Sequence, residues 1–404
     1  MSEWKKVKLG DYIDVLSGFA YKSKDFSDSG IPVIKIKNVC PPYISLEDLS
    51  YVPNSIAFQN PKYILKKGDV LIAMTGSHIN QIASVVGRVG RVRYDDVTVL
   101  NQRVGKIVNK NEEKSSLDYI YYYLSQYEVK VELAQKAGGA ANQANISPSD
   151  IKNLLFPCPP IEVQHRIATI LSRYDSMIEN YQKQIKLLEE AAQRLYKEWF
   201  VDLHFPGHEN TKIVNGVPEG WEKKPISQLG EYLNGFAFKP SDWQESGKPI
   251  IKIKEMGNGV SNDTPRNNGE RVPAKYLVKA GDLLFSWSAT LMVIVWSGEE
   301  GWLNQHLFKV TPAKGIGREF LLQSISNTIE EFQNLTTGST MKHIQRNKLD
   351  QVFVNVPNDE IMKRYSSIAE KERAEILHLS SQIRLLTEAR DRLLLKLMSG
   401  EIAV

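Results

Sequence analysis

The chain has 404 residues and a formal net charge of +4, with 42% hydrophobic and 24% charged residues. This length exceeds what one hydrophobic core usually serves, and the composition is that of an ordinary globular protein. No run of about 18 uncharged apolar residues and no apolar signal region occurs in the sequence, so we expect a cytoplasmic protein. The two cysteines, Cys40 and Cys158, provide neither a disulfide framework nor a cysteine-rich metal site.

Residues 1–158 alternate short β-branched runs with glycine and proline turns, which is typical of a mixed α/β domain. A helix is predicted near the end of this first module, over residues 117–135. The predicted strands cover residues 32–37, 69–74, 84–89 and 97–108.

A long helix is predicted for residues 159–204, where apolar residues recur in alternating steps of four and three. Such a pattern, sustained over about four heptads, is that of a coiled-coil seam. Pro159 and Pro160 mark the helix start, and Pro206 marks its end. The predicted seam residues are Ile167, Leu171, Tyr174, Ile178, Tyr181, Ile185, Leu188 and Leu195.

Residues 205–356 repeat the first module about 200 positions later. Gly-Phe-Ala-aromatic-Lys occurs at 18–22 and 235–239, and Gly-Asp at 68–69 and 281–282. The spacing between matched blocks shrinks from 220 residues to 198 and then stays constant to the C-terminus. We infer that a fixed helical scaffold carries two variable, loop-bearing modules, the second with a helix over residues 317–332.

A second long helix is predicted for residues 357–404. Glu372 and Arg390 interrupt its seam, and we expect a partner helix or another subunit to neutralise them, unless both simply extend to solvent. The fold class is thus mixed α/β (α+β), with two pseudo-twofold-related globular domains separated by two long helices in an antiparallel coiled coil. The second seam consists of Ile376, Leu379, Ile383, Leu386, Leu393 and Leu397.

The sequence offers no convincing catalytic or metal-binding motif. Residues 40–43 match an adenine methyltransferase motif at three positions, but a thiol is a poor acceptor for the target amine. His204 and His208 have the spacing of helical metal ligands, but Pro206 breaks the helix that would align them. Because no phosphate-binding loop is present either, we predict no catalytic residue, no metal site and a binding role.

Polar, flexible segments occur at matched positions of both modules, where their side chains could read DNA bases. The lysine pairs at 35/37 and 252/254 alternate with apolar residues, so we expect each pair to project from one strand face toward phosphates. An ordinary surface loop and a solvated strand face are the alternatives. The candidate DNA-binding residues are Lys22, Lys35, Lys37, Thr75, Gly76, Ser77, His78, Asn80, Gln81, Arg103, Gly138, Gly139, Asn142, Gln143, Asn145, Lys239, Lys252, Lys254, Ser286, Trp287, Ser288, Thr290, His306, Thr337, Gly338, Ser339, Thr340, Lys342 and His343.

Several blocks resemble the specificity subunits of type I restriction-modification systems. They include Leu-Tyr-Lys-Glu-Trp-Phe-Val-Asp at 195–202, Gly-Val-Pro-Glu-Gly-Trp at 216–221 and Pro-Pro-Ile-Glu-Val-Gln at 159–164. The ending at 393–402 is similar too, whereas residues 358–362 depart from the family's usual Pro-Leu-x-x-Gln. The resemblance covers essentially the whole chain.

The resemblance implies two target recognition domains, 1–158 and 205–356, each reading one half of a split, asymmetric DNA site. The spacer helices, 159–204 and 357–404, would dock two methyltransferase subunits, which restriction/translocase subunits join. This chain would then be non-catalytic and without cofactor, because S-adenosylmethionine, ATP and Mg belong to those partners. The alternative is a stand-alone DNA-binding or scaffold protein that dimerises through its coiled coil.

Overall fold

The computed structural model describes residues 4–77, 86–138, 144–261, 263–335 and 346–404. The chain forms two compact units. Unit 1 comprises Met1–Ser176 and Thr387–Val404, and unit 2 comprises Met177–Leu386. Each unit therefore contains one module and segments of both long helices, and the predicted boundaries at 158, 204 and 356 stay predictions.

Unit 1 is built on two sheets, one of six strands in the order β2-β12-β8-β10-β5-β4 and one of four in the order β6-β3-β11-β7. Its strands are β1 (Lys6–Lys8), β2 (Ile13–Ser17), β3 (Ile31–Ile34), β4 (Val39–Cys40), β5 (Tyr43–Ile44), β6 (Ser50–Val52), β7 (Ile64–Leu65), β8 (Val70–Ala73), β9 (Thr75–Gly76), β10 (Val89–Arg91), β11 (Thr98–Leu100), β12 (Val104–Asn109), β13 (Ala144–Asn145) and β14 (Leu155–Pro157). Its short helices are α1 (Asn54–Ala57), α2 (Leu117–Leu124), α3 (Tyr127–Lys136) and α4 (Pro148–Lys152), and the long α5 (Ile161–Tyr196) follows.

Unit 2 repeats this plan with two four-stranded sheets, β18-β25-β22-β23 and β20-β19-β24-β21. Its strands are β15 (Ile213–Val214), β16 (Val217–Pro218), β17 (Glu222–Pro225), β18 (Gly230–Asn234), β19 (Lys248–Ile251), β20 (Arg266–Asn267), β21 (Leu277–Val278), β22 (Leu283–Ser286), β23 (Met292–Val295), β24 (Gly301–Leu303), β25 (Leu307–Pro312) and β26 (Phe353–Val356). Its helices are α6 (Ile253–Asn258), α7 (Arg318–Asn327), α8 (Ile329–Asn334) and the long α9 (Asp359–Ser399). Within each unit, one parallel strand pair, β3/β11 or β19/β24, lies at the centre of the second sheet.

The two long helices pair in antiparallel fashion. In unit 1 the start of α5, through Ile167 and Leu171, shares a core with Leu394 and Leu397 from the end of α9. In unit 2 Tyr196, at the end of α5, packs with residues from the start of α9. All the predicted seam residues are buried or half-buried, and α5 closes with a π-helical turn at Lys197–Val201.

The helix α2 explains how each module attaches to the long helices. Residues 119–124 are all buried, because α2 lies between the six-stranded sheet and α5. A helix that is apolar on every side is stable only when it is enclosed in this way. The counterpart α7 is buried over residues 319–325.

Several predicted element boundaries are wrong. The strand predicted over 97–108 is two strands, because residues 101–103 form a turn closed by the bond from the Val104 N–H to the Asn101 carbonyl oxygen, 2.9 Å. The helix predicted over 117–135 breaks at Gln126, whose backbone is extended, and the helix predicted over 317–332 breaks at Thr328. Of the strand predicted over 84–89, residues 84 and 85 lie outside the described ranges, and among the described residues the strand β10 begins at Val89.

None of the helices in the described ranges is long and apolar enough to span a membrane.

Candidate nucleic-acid interface

The glycine of each Gly-Phe-Ala block lies against the asparagine of an Asn-Gln block. A Cβ added to Gly18 would come 2.2 Å from the Asn101 carbonyl oxygen, and one added to Gly235 would come 2.1 Å from that of Asn304. The next N–H in each block donates to the carbonyl oxygen just before the asparagine, at 2.9 and 2.8 Å. These blocks are shared because they join two chain segments in each module.

The repeated Gly-Asp blocks form a second matched contact. Gly68 and Gly281 have φ of 93° and 94°, a backbone conformation that favours glycine. The following aspartates, Asp69 and Asp282, each accept the N–H of the residue three positions earlier at 2.8 Å. The Lys106 ammonium also donates to Asp69 at 2.6 Å. The Gly-Phe-Ala, Asn-Gln and Gly-Asp blocks therefore hold the backbone of each module together, and we call these blocks the frame of the module.

In the first module, three predicted segments meet beside β8. Thr75 Oγ1 donates to Asn145 Oδ1 at 2.7 Å, and Arg103 Nη1 donates to the same oxygen at 3.5 Å. The backbones of Gly138 and Asn145 exchange two hydrogen bonds, of 3.1 and 2.9 Å, and Gly76 pairs with the residue before Asn145. We call Thr75, Gly76, Arg103, Gly138 and Asn145 the Thr75 cluster. Its guanidinium is exposed, so the remaining donors of Arg103 can reach a ligand.

The second module places different side chains at the corresponding position. The indole Nε1 of Trp287 donates to Asn234 Oδ1 at 3.2 Å, and its ring lies 5.7 Å from that of His306. His306 occupies the position that Arg103 has in the first module. We call Asn234, Trp287 and His306 the Trp287 cluster. It presents an indole edge and an imidazole where the first module presents a guanidinium.

The predicted serines of this region are largely internal. Ser286 is fully buried, and its hydroxyl donates to the Thr290 carbonyl oxygen at 2.5 Å and accepts the Met292 N–H at 2.9 Å. Ser288 and Ser77 are 3% and 7% exposed. Ser286 thus closes the turn between β22 and β23, which leaves exposed Thr290 as the polar side chain of that turn.

The prediction that each lysine pair shares one strand face is wrong. The strands end at Ile34 and Ile251, and the Lys35 and Lys252 N–H groups each donate, at 3.1 Å, to a side chain three residues ahead, that of Asn38 or Glu255. This capping interaction begins a short helix directly after each of the two strands. The alternation of apolar and basic residues in the sequence does not indicate this capping interaction.

Each capped lysine lies over an aromatic ring. Lys35 Nζ is 4.1 Å from the centroid of Phe26 and donates to Ser50 Oγ at 2.8 Å. Lys252 Nζ is 4.4 Å from the centroid of Trp243. Partial burial lowers the pKa of both ammonium groups. Cation–π contact favours the charged form of each lysine, whereas partial burial opposes it.

The other predicted lysines have acidic neighbours. Lys37 pairs with Asp48, and Lys254 pairs with Asp263 at 2.5 Å. All four groups are on the surface, where such ion pairs contribute little to stability, so a phosphate could replace either carboxylate. Lys22 and Lys239 are exposed.

Sequence reasoning missed one matched lysine pair. Lys62 Nζ lies 4.9 Å from the ring centroid of Tyr63, and Lys275 Nζ lies 5.1 Å from that of Tyr276. Both tyrosines pack 5.6 Å from the phenylalanine of the repeated Gly-Phe-Ala block. The signal was available, because Lys-Tyr recurs at the same offset as the Gly-Asp blocks. The lysine–aromatic surfaces comprise Lys22, Lys35, Lys62, Phe19, Tyr21, Phe26 and Tyr63 in the first module and Lys239, Lys252, Lys275, Phe236, Phe238, Trp243 and Tyr276 in the second.

The described residues include no group of three or more His, Cys, Asp or Glu side chains that could hold a metal ion. His204 instead contacts Glu198 through Nδ1 at 3.0 Å. The remaining predicted DNA-binding residues lie outside the described ranges: His78, Asn80, Gln81, Gly139, Asn142, Gln143, Thr337, Gly338, Ser339, Thr340, Lys342 and His343.

Family comparison accounts for the duplicated frame. Residues 1–190 and 218–393 match the type I restriction modification DNA specificity domain. The chain belongs to this family. It is a specificity subunit of a type I restriction-modification system, as its resemblance to that family predicts.

Two relatives and one solved structure match this specificity subunit along its length. It is 24% identical to the MjaIX specificity subunit of Methanocaldococcus jannaschii, over the whole chain and 94% of the relative. It is 23% identical to the HindI specificity subunit of Haemophilus influenzae over the full length of both. The crystal structure of the type I restriction-modification S subunit from M. genitalium covers 98% of the chain with a TM-score of 0.53 and 16% identity. The fold is thus shared.

Proposed function

We propose that this specificity subunit reads a split, asymmetric DNA site, one half with each module, and docks two methyltransferase subunits and the restriction subunits on its long helices. The observation that carries the proposal is that the same backbone contacts occur in both modules, whereas the polar side chains in the adjoining turns differ. The Gly-Phe-Ala and Gly-Asp contacts match, whereas Arg103 in one module corresponds to His306 in the other. Two equal frames with unlike side chains would read two unlike half-sites.

Two kinds of DNA contact follow from the chemistry of the two surfaces. The Thr75 and Trp287 clusters offer guanidinium, amide and imidazole groups, which can bind base edges. The lysine–aromatic surfaces offer matched ammonium groups in both modules, which suit phosphates. Under this proposal the two clusters would determine which DNA sequence is bound, and the lysines would determine how tightly DNA is bound.

The catalytic steps would belong to the partner subunits. We propose that this chain is non-catalytic and holds no cofactor, and that S-adenosylmethionine, ATP and Mg are bound by the methyltransferase and restriction subunits. The chain would contribute the position of their target, because it fixes which DNA segment is presented.

Deleting the gene from its host tests the proposal. Single-molecule sequencing of the deletion strain should show that one split, asymmetric N6-methyladenine motif has disappeared, and a plasmid copy of the gene should restore it. Methylation that persists unchanged while the methyltransferase subunit is expressed would contradict the proposal. Sequence-specific DNA binding without any change in methylation would favour a stand-alone DNA-binding protein.

A further inference from the structure

A tryptophan stands at the same position of the repeat in each unit. Trp4 and Trp221 each lie two residues before a lysine that pairs with β14 or β26. The positions paired with those lysines, 157 and 355, are 198 apart, which is the offset at which the two long helices repeat. The two tryptophans are therefore counterparts, and their surroundings can be compared directly.

In unit 2 the tryptophan is enclosed by aromatic rings of the same chain. The ring centroid of Phe205 lies 4.7 Å from that of Trp221, and the ring centroid of Phe200 lies 5.7 Å from it. Phe205 follows α5 and begins the sequence Phe-Pro-Gly at 205–207. Trp221 and Phe205 are only 6% and 3% exposed. The chain thus covers this tryptophan with one of its own aromatic side chains.

In unit 1 the corresponding position has no such cover. The repeat offset of 198 places Met398 at the position of Phe200 and Ala403 at that of Phe205. Ala403 is exposed, and Trp4 is only partly buried. A methyl group therefore stands in unit 1 where unit 2 has a phenyl ring.

A groove of about 800 Å³ lies beside Trp4. Met398 lines it, together with Leu155 of β14 and Leu395 of α9. These two leucines are 54% and 48% exposed, so apolar surface from two elements faces solvent in one concave place. We call Trp4, Leu155, Leu395 and Met398 the Trp4 groove.

The charged groups beside the Trp4 groove do not favour nucleic acid as its occupant. Its charged lining residues among those that the structure describes are Lys6, Glu128 and Glu132. Glu132 is also paired with Lys136 at 2.5 Å. A nucleotide would bring a phosphate with its base, and a phosphate requires an excess of positive charge. An aromatic side chain of a protein carries no such requirement.

We propose that the Trp4 groove is a docking site for a partner protein, which inserts an aromatic side chain followed by proline and glycine, as residues 205–207 of this chain do in unit 2. The inserted ring packs against Trp4 and Met398 and removes the exposed surface of the two leucines from water. Such burial of apolar surface is the main favourable term in protein association. The inference does not rest on the proposed function, because this docking requires neither DNA nor methylation.

A synthetic peptide tests the proposal on the full chain. The probe is acetyl-Leu-His-X-Pro-Gly-amide, a copy of residues 203–207 in which X is para-fluorophenylalanine, and its fluorine NMR signal is followed during titration. We expect saturable binding, and competition by the peptide with phenylalanine at X but not by the peptide with alanine. Absence of saturable binding, or equal competition by both peptides, would overturn the proposal. Displacement of the probe by a short oligothymidylate would also overturn it, because the occupant would then be nucleic acid.

Two leucines of α9 provide matched variants for this titration. Leu395 and Leu385 are both 48% exposed, and the first of them lines the groove. Leu395→Gln should weaken binding of the probe about fivefold or more by removing apolar contact area, whereas Leu385→Gln should leave it unchanged. Leu155→Gln repeats the test on a strand, so a folding defect in one variant does not decide the result. Unchanged binding in both groove variants would place the probe elsewhere and refute the assignment.

A tethered segment provides a second test that does not depend on the affinity of a free peptide. A flexible glycine–serine linker followed by Leu-His-Phe-Pro-Gly is added after Val404, which raises the effective concentration of the segment to the millimolar range. This chain should melt about 2 °C or more above the same chain with alanine in place of the tethered phenylalanine. Equal melting temperatures would show that the groove does not accept the aromatic side chain, and the proposal would fail.

Discussion

At the scale of single residues, the shared motifs and the differing side chains have separate tasks. Gly235 must be glycine because a backbone carbonyl oxygen occupies the place of its Cβ. Backbone atoms cannot rotate away as a side-chain tip can, so a substitution there strains two chain segments. Arg103 and His306 lie in the adjoining turns, where the Arg103 side chain is exposed and the His306 ring lies 5.7 Å from that of Trp287.

Gly235→Ala should therefore destabilise unit 2, by roughly 1 to 3 kcal/mol or more, as overpacking does. The loss would appear as a lower urea midpoint. Gly138→Ala is the control, because no atom lies within 4 Å of the added Cβ. If both variants had the same midpoint, the close approach to Asn304 would not be a structural constraint.

The lysines of the lysine–aromatic surfaces give a prediction about salt. Replacing Lys62 and Lys275 together by alanine should weaken binding to the cognate site and to unrelated DNA by similar factors. The salt dependence should fall by about one unit of slope per lost phosphate contact. Binding titrations at several salt concentrations measure both quantities. An unchanged slope in the double variant would exclude phosphate contact by these lysines.

Arg103→Ala should instead reduce discrimination between cognate and variant sites, by about 1 to 3 kcal/mol for one base.

At the scale of secondary-structure elements, the long helices and the duplication could be predicted because periodicity and repeat spacing are properties of the sequence alone. The end of β3 could not be predicted, because it depends on a hydrogen bond from the Lys35 N–H to a side chain three residues ahead. The partner of Arg390 was equally hidden, since Asp175 is far away in sequence and meets it only through antiparallel pairing. Likewise, the Thr75 cluster needs three segments brought together by the sheet.

Glu372 gives a prediction for the α9 helix. Its Oε2 is buried with no hydrogen-bond partner among the described residues, and burial, helped by nearby Glu319, raises its pKa. A carboxyl group whose pKa is higher in the folded state stabilises the fold when protonated and opposes it when ionised. Glu372→Gln should therefore raise the urea midpoint at pH 7, and the gain should shrink as the pH falls through the raised pKa of Glu372 and vanish below the usual glutamate value of about 4.3. Glu375→Gln, at an exposed position of the same helix, is the control. A gain that stayed constant with pH would assign the effect to packing.

At the scale of the whole molecule, the two units have equivalent frames and different exposed chemistry. The duplication could be predicted from sequence in detail, but the bases that each module would contact under the proposed function could not. The DNA bases contacted depend on the orientation of a few side chains and on how the DNA deforms.

Exchanging residues 1–155 for the corresponding module of another specificity subunit should change only one half of the methylated motif. Single-molecule sequencing of methylated DNA measures this outcome, with the unmodified chain as reference. The other half and the spacing between the halves should be retained, because α5 and α9 are unchanged. A change in both halves would show that the modules do not read independently.

The close contact between Gly18 and Asn101, and its repeat at Gly235 and Asn304, bears on how such a protein acquires new targets. Two backbone segments are held together at the base of each turn by contacts that do not involve the side chain two positions later, Arg103 or His306. Under the proposed function, substitutions at these two positions would change the DNA site that is read while the frame of the module stays in place.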